Sequence, residues 1–141
     1  MIRYQAKICK DGDGFFVEFP DLPGCFSDGR SYAEALEGAR ESLSLYLEEA
    51  RDPQWKISEA KSRSGKQYAW ITPYEDVAIP LMIRQARTKH GLTQKELASL
   101  LKISFQQIQK LETPGKSNPT VKTLAAISRV LQETLEIKLV A

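Results

Sequence analysis

Apolar and polar residues alternate over residues 4–10, Asp11-Gly12-Asp13-Gly14 supplies turn chemistry, and Phe15-Phe16-Val17-Glu18-Phe19 is aromatic and β-branched. This pattern predicts a β-hairpin. The prolines and glycine of Pro20-Asp21-Leu22-Pro23-Gly24 interrupt it, and Cys25-Phe26-Ser27-Asp28 then predicts a short third strand ending at Gly29. From Ser31 the period changes: Ala35, Leu36, Ala39, Leu43, Tyr46 and Leu47 recur at three- and four-residue steps behind a capping box of Ser31 and Glu34. That spacing predicts an amphipathic helix ending near Ala50, before Pro53. Residues 52–66 are polar and irregular, with Ser62-Arg63-Ser64-Gly65 expected as an exposed loop, and Gln67-Tyr68-Ala69-Trp70-Ile71 predicts a fourth strand. The order β-β-β-α-β is satisfied by a three- or four-stranded antiparallel sheet with one helix across a face.

Beyond residue 72 the periodicity is helical. Leu81, Ile83 and Ala86 mark a helix that ends at Gly91 and begins at Pro80, or earlier from the capping box Thr72-Pro73-Tyr74-Glu75. Thr93-Gln94-Lys95-Glu96 opens a second helix with Leu97, Ala98, Leu100 and Leu101 inward, Lys102-Ile103 makes a turn, and Ser104 caps a third helix carrying Ile108 and Leu111 inward. Two short helices joined by a tight turn predict a helix-turn-helix, whose second helix meets base edges in the major groove. Glu136-Ile137-Lys138-Leu139-Val140 alternates again and predicts a terminal strand, which needs a partner. The expected division is residues 1–72, a linker at 73–78, a DNA-binding domain at 79–131 and a strand element at 132–141. On that division the chain up to Ile71 is a module that functions alone.

Charge supports the division. The chain has 20 basic and 18 acidic residues, for +2 overall, yet residues 1–78 carry a net −4 and residues 79–141 a net +6. A basic half beside an acidic one fits a nucleic-acid contact in the former and a basic protein partner for the latter. Cys9 and Cys25 lack metal or redox spacing and read as buried thiols. The amino-terminal residues show no signal-peptide or membrane pattern, so a cytoplasmic protein is expected. His90, before Gly91, reads as a helix-end or surface residue. Trp55 and Trp70 read as core residues.

Tyr4-x-Ala6, Asp11 to Val17, and above all Phe19-Pro20-Asp21-Leu22-Pro23-Gly24-Cys25 followed by Gly29 and Ser31-x-x-Glu34-Ala35 resemble the HicB antitoxin family, strongly over residues 3–50. The resemblance implies a partial ribonuclease-H-like module and, as partner, a HicA-type mRNA-cleaving toxin. Leu22, Phe26, Tyr68 and Trp70 are the residues expected to touch it. The implied fold raises nuclease chemistry, for which Asp11, Asp13, Asp21 and Asp28 are the carboxylates to weigh. Their turn settings argue for structural roles, and no catalytic, metal-binding or cofactor-binding residue is assigned. A ligand-sensing repressor is the alternative binding reading, but no cofactor loop supports it.

Leu92-Thr93-Gln94-x-Glu96-Leu97-Ala98, Ile103-Ser104, Ile108-x-x-Leu111-Glu112, Gly115-x-x-x-Pro119-Thr120 and Leu124-x-x-Ile127-x-x-Val130-Leu131 resemble the Cro/C1-type (Xre-like) family over residues 83–131. By that resemblance Gln94 holds a backbone phosphate. Phe105, Gln106 and Lys110 face the groove: Gln106 can pair with adenine, Lys110 can reach guanine or phosphate, and Phe105 can pack on a thymine methyl. Ser104, Gln107 and Gln109 are secondary contacts. Arg87 and Glu112 occupy positions that pair across the first and third helices. Glu112-Thr113-Pro114-Gly115 is one residue longer than the family's usual loop, which leaves the phosphate contacts of Lys116, Ser117 and Asn118 less defined. The whole reads as an antitoxin that binds a toxin and its own operator, as a dimer joined through the terminal strand.

Overall fold

The computed structural model describes residues 2–49 and 57–140. Trp55 and the expected helix end near Ala50 lie outside the described residues. Strands β1 (Tyr4–Asp11), β2 (Gly14–Glu18), β3 (Phe26–Gly29) and β4 (Tyr68–Ile71) form one antiparallel sheet in the order β3-β2-β1-β4, with helix α1 (Tyr32–Glu48) between β3 and β4 in the chain. The mixed α+β architecture and the β-β-β-α-β order expected from the pattern are therefore present.

Strand parity determines what is buried. Ala6, Ile8, Val17 and Ile71 point to one side, where Ala35, Ala39, Leu43 and Leu47 of α1 meet them, all at most 7% exposed. The helix lies close to the sheet because Gly29 has no side chain: a Cβ there would collide with the backbone of Ala35. Ser31 caps α1 by accepting from the Glu34 amide at 3.1 Å. The Glu34 carboxylate accepts from the amide of Arg30 at 2.8 Å, one residue before the cap.

Residues 57–66 form no helix or strand but are tied to β1 and to the turn between β2 and β3. Tyr4 donates to the Ser58 carbonyl at 2.6 Å, Gln5 exchanges hydrogen bonds with the backbone of Arg63, and the Arg63 guanidinium pairs with Asp21 at 2.7 Å. The expected loop at Ser62-Arg63-Ser64-Gly65 is exposed except at Arg63, and these hydrogen bonds anchor it. Burial pushes the Tyr4 hydroxyl up to about 12, while the Arg63 hydrogen bond holds the Asp21 carboxyl below its usual range.

Helices α2 (Glu75–Lys89), α3 (Gln94–Leu101), α4 (Phe105–Leu111) and α5 (Val121–Leu131) follow. Residues 73–78, expected as a linker, hold the N-cap Tyr74 and the first turn of α2. Val77 and Leu81 complete the first core, and Ile83 belongs to the second with Leu97, Ile108, Ile127 and Leu131. One helix therefore serves both cores. Pro80 lies inside it, where its missing amide leaves the Asp76 carbonyl without its helical donor. The Gly115 amide takes that place at 2.9 Å. The extra residue between Glu112 and Gly115 accordingly belongs to a loop that closes on α2. Gly115 has φ +76°, a left-handed conformation that a residue with a side chain rarely adopts.

Within the single chain residues 133–140 belong to no strand, contrary to the terminal strand expected. The physical reason is the absence of a neighbouring strand to pair with.

Candidate nucleic-acid interface and partner-binding surface

Thr93 caps α3 by accepting from the Glu96 amide, and Lys102 ends that helix in the left-handed conformation with φ 57°. The Ile103 amide then returns to the Ala98 carbonyl at 3.1 Å, closing the turn. Ser104 and Gln107 form a reciprocal capping box: the Ser104 hydroxyl accepts from the Gln107 amide at 3.1 Å, and the Gln107 side-chain oxygen accepts from the Ser104 amide at 2.8 Å. Both side chains are thereby committed to the helix start. The capping bond directs the Gln107 side-chain oxygen back to the Ser104 amide, and the same oxygen is the acceptor that a two-bond contact with adenine would use.

Ile108, fully buried, fixes the inward face of α4, so Gln106, Gln109 and Lys110 come together on the outward one, all exposed. Phe105 flanks them, half-buried, with the Lys95 ammonium 5.6 Å from its ring centre. Lys95 was missed in the sequence, where nothing links it to a residue ten positions on. Lys116 and Asn118 are exposed, whereas Ser117 is buried and cannot act as a surface contact.

A buried ion pair ties the end of α4 to α2. Arg87 of α2 donates to Glu112 through Nε at 2.5 Å and Nη2 at 2.9 Å, and to the Leu92 carbonyl at 2.7 Å. Arg84 donates to the Glu112 carbonyl at 3.0 Å. Gln94, expected at a phosphate, donates its side-chain amide to the Glu112 carboxylate at 2.9 Å. Its second amide hydrogen is the one a phosphate could use. His90 is the C-cap residue of α2, and its ring meets the Glu133 carboxylate at 2.9 Å beside Lys89 at 3.1 Å.

The sheet face opposite α1 is a second candidate surface. Tyr68 and Trp70 on β4, Lys7 and Cys9 on β1, Phe16 on β2 and Phe26 on β3 share its parity. Phe16 stacks on Phe26 with ring centres 6.2 Å apart, and the Arg3 guanidinium lies 4.5 Å above Trp70. Phe26 is 61% exposed and Trp70 39%, so Trp70 is not the core residue expected. Cys9 is likewise exposed, because it shares the parity of Lys7, while Cys25 is buried and its thiol is pushed up to about 11. Leu22 is only 1% exposed and cannot touch a partner. Its turn closes on itself through Leu22 amide to Phe19 carbonyl and Cys25 amide to Leu22 carbonyl, both 3.0 Å, which tucks the side chain into the core. Phe16 takes its place in the exposed set; its parity opposite Val17 was the available signal.

Of the carboxylates weighed for metal chemistry, Asp21 is committed to Arg63 and the Lys61 amide. Asp11, Asp13 and Asp28 line an open groove with Arg30 and Glu34. Among the described residues no group of three or more His, Cys, Asp or Glu is placed to hold a metal ion. No helix among them is long and apolar enough to cross a membrane.

Comparison with known proteins matches two stretches of the chain to two families. Residues 83–138 match a helix-turn-helix family, and residues 4–90 match the HicB_like antitoxin family of bacterial toxin-antitoxin systems. An uncharacterised 14.9 kDa protein of Haemophilus phage HP1 is 33% identical over 79 residues, 56% of this chain and 58% of that protein. A UPF0150 protein of Thermoplasma acidophilum is 39% identical over 57 residues, 40% of this chain and 83% of that one. Antitoxin HicB 2 of Photorhabdus laumondii is 27% identical over 140 residues, covering 96% of this chain and 95% of its own length. Among solved structures, the HicA3 and HicB3 toxin-antitoxin complex aligns with 43% of this chain and 72% of that one at 27% identity and a TM-score of 0.38. The antitoxin match runs through α2, the helix whose Val77 and Leu81 complete the first core. With more than half of its length so matched, the chain belongs to the HicB-like antitoxin family and carries a helix-turn-helix domain behind the antitoxin module.

Proposed function

We propose that this protein is the antitoxin of a type II toxin-antitoxin system, acting in the cytoplasm, which neutralises a HicA-type mRNA-cleaving toxin by direct binding and represses its own operon through operator DNA. The observation that carries the reading is the presence, in one chain, of the antitoxin-family module and a helix-turn-helix whose outward face is free for a major groove. A toxin that grips RNA needs a basic surface, and a module with net −4 over residues 1–78 offers complementary charge. Co-expression with the adjacent reading frame tests the pairing: rescue of growth and co-purification support it, and continued toxicity with no complex contradicts it.

At the operator, Gln106, Lys110 and Gln109 read bases, Phe105 packs beside them, and Lys95, Lys116, Asn118 and the remaining amide hydrogen of Gln94 reach phosphates. Gln106→Ala is expected to weaken specific operator binding by about 1–3 kcal/mol while leaving toxin capture unchanged. Fluorescence anisotropy with cognate and scrambled duplexes checks this; wild-type discrimination in the variant would remove Gln106 from the reading set.

At the toxin, Phe26, Trp70 and Tyr68 supply the aromatic anchors, with Phe16 beside them. Large exposed aromatics at the centre of an interface each carry about 2 kcal/mol or more. The Phe26→Ala, Trp70→Ala double variant is expected to lower toxin affinity by about a hundredfold or more, with unchanged thermal unfolding. Calorimetric titration at wild-type affinity would place the toxin on another surface.

A further inference from the structure

After Gln132 ends α5 with φ 54°, Glu133 is held by Lys89 and His90, and the seven residues that follow, Thr134-Leu135-Glu136-Ile137-Lys138-Leu139-Val140, leave the domain. Ile137 is 58% exposed, Leu139 102% and Val140 87%, an apolar load that a solvated tail does not need. The Lys138 ammonium lies 2.8 Å from the Glu136 carboxylate, so these two side chains share one side of the segment. Leu135, Ile137 and Leu139 form the row of opposite parity.

The sequence of this segment is complementary to itself in one antiparallel register. We propose that residues 134–140 pair with the same residues of a second copy of the chain, as a two-stranded ribbon whose two-fold axis passes through Ile137. In that register Glu136 faces Lys138 of the second copy, Lys138 faces its Glu136, Leu135 faces its Leu139, and Ile137 faces its own counterpart. Two opposite-charge pairs then form on one side, and all six leucines and isoleucines gather on the other. A shift of the axis to Glu136 or to Lys138 sets like charges directly opposite each other. An axis between two residues sets charged side chains against apolar ones. A parallel in-register pairing places Glu136 on Glu136.

A two-stranded ribbon in water is marginal, so its apolar side must lie on protein. Leu135, four residues beyond α5, is half-buried, whereas Ile137 and Leu139 are exposed. An isologous contact at this point also sets the two α4 helices about one two-fold axis, as a palindromic operator requires. The inference rests in this last respect on the operator-binding reading, and the test separates the two.

Sedimentation velocity of the full chain is the test, with Glu136→Lys, Lys138→Glu, the double exchange and an equimolar mixture of the two single variants. The substitutions are exposed and leave both cores untouched. The wild type is expected to be a dimer at about 10 μM, and each single variant to dissociate with a constant raised about tenfold, since two attractive cross-strand pairs become repulsive. The mixture re-forms a dimer, because one chain then presents lysine at both positions and the other glutamate at both. The double exchange restores the wild-type constant. A monomeric wild type, single variants as dimeric as the wild type, or a mixture no stronger than its components would each overturn the ribbon. Operator binding measured in parallel by anisotropy isolates the other reading: a chain that binds its operator as a monomer refutes the ribbon and leaves the helix-turn-helix reading standing. A dimer restored by the double exchange but without affinity for operator upholds the ribbon and refutes that reading.

Discussion

Replacing Glu112 with alanine is expected to destabilise the chain by about 3–5 kcal/mol, the range for removing one partner of a buried ion pair. Glu112 is 1% exposed and accepts from Arg87 twice and from Gln94 once. Its loss strands the Arg87 guanidinium, whose side chain is 7% exposed, with only the Leu92 carbonyl to meet it. The helix-turn-helix core is that of a small domain, with Ile83, Leu97, Ile108, Ile127 and Leu131 as its buried large side chains, so this deficit is a large fraction of what such domains possess. Removing the pair as a unit, Arg87→Met with Glu112→Leu, should recover much of the loss, because an apolar replacement leaves no unpaired charge. Urea unfolding of the wild type and these two variants checks this, and a Glu112→Ala cost under about 1 kcal/mol would show that α4 is held by other contacts.

Ending the chain after Ile71 is expected to unfold the antitoxin module, whereas ending it after His90 is expected to preserve it. The short form lacks Val77 and Leu81, both at most 3% exposed in the first core. At about 1.5–3 kcal/mol for each aliphatic side chain left unburied, their absence removes about 3–6 kcal/mol from a domain with little to spare. It also lacks Tyr74, whose amide donates to the Ser44 hydroxyl at 2.9 Å, whose hydroxyl donates to Glu37, and whose ring lies 4.4 Å from the Arg40 guanidinium. Circular dichroism and thermal melts of the two fragments check the contrast; a cooperative transition of equal midpoint in the short form would show that α2 is dispensable to the sheet. The same sharing of α2 means that the antitoxin-family module and the helix-turn-helix domain are mechanically joined.

What could be read from the sequence was mainly local. Ser31, Thr93 and Ser104 announce their helices by spacing alone, because a capping side chain reaches only three residues on. The element order β-β-β-α-β follows from alternation and turn residues, and the Arg87–Glu112 pair from family resemblance. The misses share a different physical origin. Pro80 reads as a helix start, yet a distant amide, that of Gly115, compensates for the bond it removes. Leu22 looks exposed between two prolines, but its turn bonds fold it inward. Residues 57–66 have no periodicity because Tyr4, Gln5 and Asp21 hold them, and those partners lie some forty or more positions away. The exposed aromatic face emerges only when β4 is set beside β1 and β3 beside β2, which brings Trp70, Phe16 and Phe26 to one side.

The central claim is that this chain silences an RNA-cleaving toxin by occupying it. Purified toxin from the adjacent reading frame, titrated with the full-length chain while cleavage of a labelled mRNA is followed, tests that claim most directly. Cleavage is predicted to fall linearly and to cease at a fixed stoichiometric ratio, with the Phe26→Ala, Trp70→Ala variant requiring a large excess. Cleavage that continues at its initial rate in the presence of excess chain would contradict the account.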